Sequence, residues 1–564
     1  MRTLRGVPVL LSALLLVPGV AQADQAPPKQ PVATGFGGAV ASIDADATAI
    51  GTQVLREGGN AVDAAVATAA ALGVTDPFSA GIGGGGFFVY FDARTGRVHT
   101  LDGRETAPAS ADENLFVENG QALPFDEAVT SGLSVGVPGT PATWQDALRA
   151  WGTRSLSQML RPAARLARDG FTVDQTFADQ ITGNAERFSA FPSTRSLYLP
   201  GGAPPAVGST FTNPDLADTY DTLANQGAGA LYRGPIADEI AAYRTIEREP
   251  THTRHRGLDV YGMPAPSSGG LTVGEALNIL EDFDVSHFSE ADYLHHFLEA
   301  SRLAFADRNR WIGDPAFVDV PSRDLLSRPF ADSRACLIDP NRAATGTVAA
   351  GDPRHPRPCA AGPAAPTPYE GENTTHLTVA DRWGNVVAYT LTIEQEGGSG
   401  MVVPGRGFLL NNELTDFSFT PVTPGVPDPN LPGPGKRPRS SMAPTIVLEH
   451  GKPLLAAGSP GGASIITTVL QVLLGRLDRG LSLEEAIAAP RASQRNSGPA
   501  QVEPAFLALR ESSDLQRRGQ LFSSTPAEIG AATGVEHLPD GRWLAAAEPV
   551  RRGGGAAQVV HPVP

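Results

Sequence analysis

Asn373-Thr374-Thr375-His376 is the part of this 564-residue chain that carries the most chemistry. Leu377-Thr378-Val379-Ala380 follows, then a polar turn at Asp381-Arg382-Trp383-Gly384-Asn385, then a return through Val386 to Leu391. The pattern predicts a β-hairpin, in which a threonine at the start is ordinarily just a strand residue. A cut between Asn373 and Thr374 would change that. Thr374 would then carry both a hydroxyl and a free α-amine, which titrates at roughly pH 7.7–8. The amine could take the proton of its own hydroxyl, and a threonine activated in this way is a nucleophile. Arg104, after the strand-like Leu101-Asp102-Gly103, could grip a carboxylate through two parallel hydrogen bonds. The local alternative is a salt bridge to Asp102 or Glu105. Gly461 and Gly462 follow Gly458-Ser459-Pro460, where backbone N–H groups could approach a ligand closely and stabilise an oxyanion. The same glycines suit a tight turn before a helix at Ile465.

These residues belong to an ordered series. It runs through Leu101-Asp102-Gly103-Arg104-Glu105-Thr106-Ala107-Pro108, Thr374-Thr375-His376, Gly407 to Glu413 and Asp416-Phe417-Ser418. Lys436-Arg437-Pro438-Arg439-Ser440-Ser441-Met442 and Gly458 to Gly462 complete it. In this order the motifs resemble the γ-glutamyltranspeptidase (glutathione hydrolase) family of N-terminal-nucleophile enzymes. The resemblance extends from near Ala39 almost to the C-terminus and is weakest over residues 490–540.

The resemblance implies an α/β fold, the four-layer αββα sandwich, built from two chains cut from one precursor. Residues 24–373 would form the large subunit and 374–564 the small one, with the cut between Asn373 and Thr374. Thr374 would attack a γ-glutamyl amide such as that of glutathione, and water or an amino acid or peptide acceptor would then take the group. Arg104 matches the residue that holds the substrate α-carboxylate, with Ser440 and Ser441 beside it. Asp416 matches the acid that meets the α-ammonium. Glu413 stands where the family has Gln or Glu, and Glu394 where it has Asn or Glu. Thr392 and Thr375 match positions that support the nucleophile, and Gly461 and Gly462 match the oxyanion pair. Asp416 favours a γ-glutamyl substrate over the glutaryl or cephalosporin side chains taken by related acylases; action on poly-γ-glutamate stays open. Phe419 to Gly435, with prolines at 421, 424, 427, 429, 432 and 434, is too proline-rich for a helix and lies where some members carry a lid. Glu548-Pro549-Val550-Arg551-Arg552 departs from the family's Asp-Pro-Arg pattern and receives no role.

The elements that must position these residues are legible in part. Ala39–Ser42 reads as a strand and Ala47–Arg56 as a helix ended by Gly58-Gly59. Asn60 caps a second helix. Phe87–Phe91 and Val98–Leu101 read as paired strands. Leu294, Phe297, Leu298, Ser301 and Phe305 form one face of a long helix. Residues 340–372 lose periodicity, as a cleavable loop would. Strands are expected at 375–380, 386–393, 407–411, 444–449 and 454–457, with helices at Ile465–Arg479 and from Glu484. Strands mixed with helices in both halves fit two packed sheets covered by helices.

Composition narrows the function classes. A net charge of −16 argues against nucleic acid. Positive charge is almost all arginine, since lysine occurs only at Lys29, Lys436 and Lys452, and the bias suggests a GC-rich bacterial coding sequence. Arg2 and Arg5, the apolar Val9–Val17 and Ala21-Gln22-Ala23 make residues 1–23 a signal peptide, so a periplasmic or secreted protein is expected. Residues 24–35, rich in Pro and Gln, read as disordered. Cys336 and Cys359 would be a candidate disulfide in that compartment, with two free thiols as the alternative. No CxxC or other metal-ligand spacing occurs, so no metal or cofactor is called for. His252, His255, His295 and His296 read as solvated. Gly83–Gly86 lacks the dinucleotide-binding order. Gly132-Leu133-Ser134-Val135-Gly136 matches a serine-hydrolase elbow, but Val137-Pro138-Gly139 follows where a helix should start. Asn373-Thr374-Thr375 also fits a glycosylation acceptor, discounted for a bacterial chain.

Overall fold

The computed structural model describes residues 29–232, 243–360, 371 and 373–563. The expected signal peptide lies outside them. The described residues form a large antiparallel sheet of 13 strands. They are β1 (Val32–Ser42), β2 (Gly85–Asp92), β3 (Arg97–Gly103), β4 (Ile246–Arg248), β5 (Thr251–His255), β6 (Leu258–Gly262) and β7 (Thr375–Asp381). β8 (Val386–Thr392), β9 (Thr445–Glu449), β10 (Lys452–Gly458), β11 (Thr533–His537), β12 (Trp543–Ala547) and β13 (Ala556–Pro562) complete it. The order is β4-β3-β2-β8-β7-β1-β12-β11-β10-β9-β6-β5, and β13 also pairs with β1.

The sheet curls until its halves face each other. β7 packs against β10 and β11, and β8 against β10, although none of these is a hydrogen-bonded neighbour. The approach is close at Gly458 in β10, where an added Cβ would lie 2.3 Å from the His376 ring in β7. Helices cover both outer faces. α1 (Ala45–Arg56) and α2 (Ala61–Thr75) lie on the β1–β7–β8 side. α3 (Gly269–Leu280), α6 (Ser464–Leu477) and α7 (Leu483–Ala488) lie on the other, with α4 (Glu290–Trp311) packed on α3 and α5 (Arg328–Ala335) beside it. This is the four-layer αββα arrangement. α2 is apolar all round and every one of its residues is buried, as an interior helix requires. Its start is fixed by a reciprocal capping box between Asn60 and Asp63.

Three expectations need correction, and the rejection of a serine elbow at Ser134 stands. Residues 32–35 are not disordered: Val32, Ala33, Thr34 and Gly35 pair with Ala546, Ala545, Leu544 and Trp543, so a partner strand satisfies backbone that composition alone would leave in water. Residues 407–411 form no strand. Their ladder pairing is a single bridge, Val402 to Leu409, and Asn411 turns its side chain onto the carbonyls of Gly83 and Gly136. His255, His295 and His296 are buried rather than solvated. His255 is held between Asp478 and Glu281, and among the described residues no group of three or more potential ligands could hold a metal. Ser134 is buried and donates to the carbonyls of Val129 and Ser131, both at 2.9 Å, in a 3-10 turn and not a strand–helix elbow.

Cys336, at the end of α5, and Cys359 are bridged with Cα atoms 5.4 Å apart, spanning 23 residues of the segment that leads toward Asn373. Closing a loop of that length removes about 3 kcal/mol of unfolded-state freedom. Cys336→Ser should therefore lower unfolding stability by about 2–4 kcal/mol in urea titration. An unchanged midpoint would show that the bridge closes nothing the fold does not already hold.

Candidate active site

Strand ends bring the candidate residues together. Thr375 pairs with Leu391, so Thr374 lies just before β7, beside the end of β8. Thr392 at that end pairs with Gly85, and Gly86 pairs with Gly103, which places Arg104 at the same end of the sheet. Ser440 and Ser441 precede β9, and Gly461 and Gly462 follow β10, its antiparallel partner. A small cavity is lined by Arg104, Gly371, Asn373, Thr374, Thr392, Glu394, Glu413, Asp416, Ser440, Ser441 and Gly462, among others. Its space is about 20 Å³, room for roughly one water. Gly461 precedes this wall at φ +131, a conformation open to glycine.

Thr374 Oγ1 donates to the carbonyl oxygen of Asn373, the residue before it. Thr392 Oγ1 donates to that same oxygen at 3.0 Å and lies 3.5 Å from Thr374 Oγ1. The Asn373 side chain is fixed by the Phe78 carbonyl at 2.9 Å and Ser79 Oγ at 3.0 Å. The hydroxyl, the carbonyl it would attack and the groups that hold that carbonyl are thus buried together.

Arg104 is 1% exposed. Its Nε donates to the Pro438 carbonyl at 3.2 Å and its Nη2 to the Arg439 carbonyl at 3.1 Å. Nη1 pairs with Glu413 and Nη2 with Asp416, while Glu105 stands 3.9 Å away. Burial alone would weaken the guanidinium's hold on its proton; the carboxylates of Glu413, Asp416 and Glu105 outweigh this and keep it charged. The acids move the other way. Burial first, then the neighbouring carboxylates Asp416 and Glu413, pushes Glu394 well above the usual carboxylate range. Glu413 moves upward through burial, restrained by Arg104. Glu394 takes a hydrogen bond from Asn412 at a backbone φ of +79. Gly371, two residues before Asn373, presses on it so closely that a Cβ there would overlap its carboxylate.

Some functional neighbours were not singled out from the sequence. Arg308 on α4 donates from Nη2 to Ser441 Oγ at 2.7 Å and from Nε to Ser268 Oγ at 2.7 Å. It orients a serine of the site, and its Nη1 donates at 2.9 Å to Asn309, which lines a larger cavity of about 390 Å³ with Val422, Val426 and Pro427. The proline-rich segment is tied to the site at its end, where Asn430 Nδ2 donates to the Asp416 carbonyl at 2.6 Å.

Arg552 has the most consequential placement. Its Nη1 donates to Asn373 Oδ1 at 2.5 Å and to the Thr374 carbonyl at 2.9 Å, spanning the Asn373–Thr374 bond. Asp76 lies nearby, raised to about 7 by burial and held in check by Arg552, Ser79 and Thr375. The altered C-terminal pattern concealed this. Glu548 pairs with Arg491 and Arg551, leaving the next residue, Arg552, to reach the bond. Arg552→Ala should slow any chain cleavage at Asn373 by about tenfold or more, the cost of two hydrogen bonds to a charged donor. A gel time course of freshly made precursor measures it; an unchanged half-time would remove Arg552 from the reaction.

Comparison with known proteins agrees with this geometry. The sequence profile of the family described as Gamma-glutamyltranspeptidase matches residues 47–558. The chain is 38% identical to the glutathione hydrolase proenzyme of Escherichia coli (strain K12), across 95% of this chain and 96% of that protein. It is 33% identical to the acylase ACY 1 proenzyme of Pseudomonas sp. (strain SE83), across 93% and 95%. The solved structure of cephalosporin acylase from Bacillus halodurans superposes with a TM-score of 0.83 at 29% identity, covering 94% of this chain and 97% of that one. The chain belongs to the γ-glutamyltranspeptidase family and to its γ-glutamyltransferase/glutathione hydrolase enzyme class.

Proposed function

We propose that the protein is an exported γ-glutamyltransferase and glutathione hydrolase that cuts itself between Asn373 and Thr374 and then uses Thr374 as its nucleophile. The observation that carries this is the Thr374 hydroxyl resting on the Asn373 carbonyl, with Thr392 on the same oxygen, in one cavity with Arg104, Asp416 and Ser441. In the first stage Thr374 Oγ1 attacks the Asn373 carbonyl carbon. The C–N bond breaks, the amine takes a proton, and water hydrolyses the ester. The products are a large subunit, 24–373, and a small subunit, 374–564. Gly371 and Asn373 now line the cavity wall, so the γ-glutamyl group enters once they have moved.

In the second stage the freed Thr374 amine accepts the hydroxyl proton as Oγ1 attacks the γ-amide carbon. The leaving amine, such as the cysteinylglycine end of glutathione, takes that proton. Water or an acceptor amine, from an amino acid or peptide, then cleaves the γ-glutamyl ester. Arg104 with Ser440 and Ser441 receives the α-carboxylate; Asp416, Glu413 and Glu394 receive the α-ammonium; Gly461 and Gly462 face the developing oxyanion. Asp416, partly buried and paired with Arg104, is the observation that favours a γ-glutamyl donor over an acyl group lacking the ammonium. No helix among the described residues is long and apolar enough to cross a membrane, and export rests on the N-terminal sequence. A γ-glutamyl-p-nitroanilide assay, with glutaryl-p-nitroanilide as competitor, tests the choice. Faster turnover of the glutaryl compound would overturn it.

A further inference from the structure

Glu105 is the one acid of this cluster for which the proposed function has no use. It is fully buried, and neither carboxyl oxygen has a hydrogen-bond partner. Glu413 Oε2 is a second buried oxygen without one, and the two carboxyls lie within hydrogen-bonding reach of each other. Room for the Glu105 side chain is made by two glycines. A Cβ at Gly85 would sit 2.6 Å from its Oε2, and one at Gly136 would sit 2.7 Å from its Cβ.

Charge counting sharpens the observation. One guanidinium, Arg104, faces three buried carboxyls, Glu105, Glu394 and Glu413, and the partly buried Asp416. A γ-glutamyl head group brings one ammonium and one carboxylate, so it leaves that balance unchanged. An uncompensated buried carboxylate costs several kcal/mol and takes up a proton instead. Glu413 and Asp416 hold direct ion pairs to Arg104, whereas Glu105 is 3.9 Å off and bonds to nothing charged. The other titratable groups facing Glu105 are the phenols of Tyr232, Tyr243 and Tyr389, which burial keeps neutral. Asp102 nearby is balanced by Arg437 and Arg248.

We propose that Glu105 is a positioning residue that keeps a proton and donates it to Glu413 Oε2, aiming Glu413 at the substrate ammonium. One O–H then satisfies Glu413 Oε2 and one of the two orphaned oxygens of Glu105. The proton does for Glu413 what a glutamine amide would do at that position for an ionised Glu105. Burial, and next the Glu413 carboxylate, also drives Glu105 well above the usual carboxylate range, in accord with this.

The aiming role rests on the γ-glutamyl reading; the proton does not, and the tests separate them. The first compares the single-chain Thr374→Ala protein with and without Glu105→Gln, by melting temperature between about pH 5 and about pH 9. A carboxyl that stays protonated in the fold but ionises on unfolding costs stability as pH rises through its unfolded value, about 4.3. Glutamine has no such proton. The melting point of the Glu105 form should therefore fall behind that of Glu105→Gln as pH rises. A gap that stays constant across pH would overturn the proposal without reference to any activity.

The second test uses mature enzyme and γ-glutamyl-p-nitroanilide. Glu105→Gln keeps a donor and should hold kcat/KM at neutral pH within about threefold while flattening the alkaline limb of the profile. Glu105→Ala orphans Glu413 and should raise KM by about tenfold or more, with a smaller effect on kcat. Equal losses in the two variants, or an alkaline limb unmoved by Glu105→Gln, would show that Glu105 works as an anion.

Discussion

Thr374→Ala is expected to remain a single chain and to lose γ-glutamyl transfer by about 10⁴-fold or more, the scale on which removal of a covalent nucleophile is felt. Both stages fail for one reason. Without Oγ1 there is nothing to attack the Asn373 carbonyl it now touches, so the bond stays intact and no α-amine is released. Thr392 shares that oxygen and does not replace the nucleophile: its hydroxyl is committed to the carbonyl as donor and to the Glu394 N–H as acceptor. Thr374→Ser keeps the oxygen and should still cleave, though more slowly, because it lacks the methyl group that restricts χ1 in the buried site. A gel and a rate assay on the same preparation read both stages. Cleaved, active Thr374→Ala protein would end the mechanism.

Arg104→Gln is expected to lower kcat/KM by about 10²–10³-fold, equivalent to about 3–4 kcal/mol. The arginine does two jobs that no other side chain of the cluster can take over. On the proposed reading it would supply the fork for the substrate α-carboxylate, and its pairing with Glu413 and Asp416 favours their charged forms. Without it Glu413 loses the pairing that restrains its upward shift, and a substrate ammonium would lose counter-charge. Arg104→Lys should recover only part of the loss, since a point charge cannot span two carboxylates and two carbonyls at once. Kinetics should be measured on protein that has already separated into two chains, so that a folding defect is not counted as a binding one.

The chemistry of this site was legible where it lies in continuous motifs. Asn373-Thr374, Arg104, Asp416 and the serine and glycine pairs could all be named from the chain, and all of them but Gly461 line one cavity. What was not legible depends on long-range contacts. Arg308 is one of several arginines on a long helix until α4 is seen beside Ser441, 133 positions away. Arg552 lies 178 residues from the carbonyl it holds, in a stretch whose departure from the family pattern hid it. The burial of His255 follows from Asp478 and Glu281, which no local pattern associates with it. Residues 407–411 look like a strand by composition, but the side chain of Asn411 is drawn to the carbonyls of Gly83 and Gly136.

The most direct test of the central claim is the mass and N-terminal sequence of the purified wild-type protein, before and after brief acid quench with a γ-glutamyl donor. Two chains, the smaller beginning Thr-Thr-His and gaining one γ-glutamyl group at Thr374, are predicted. A single uncut chain that turns over donor, or a γ-glutamyl group attached anywhere but Thr374, would contradict the account.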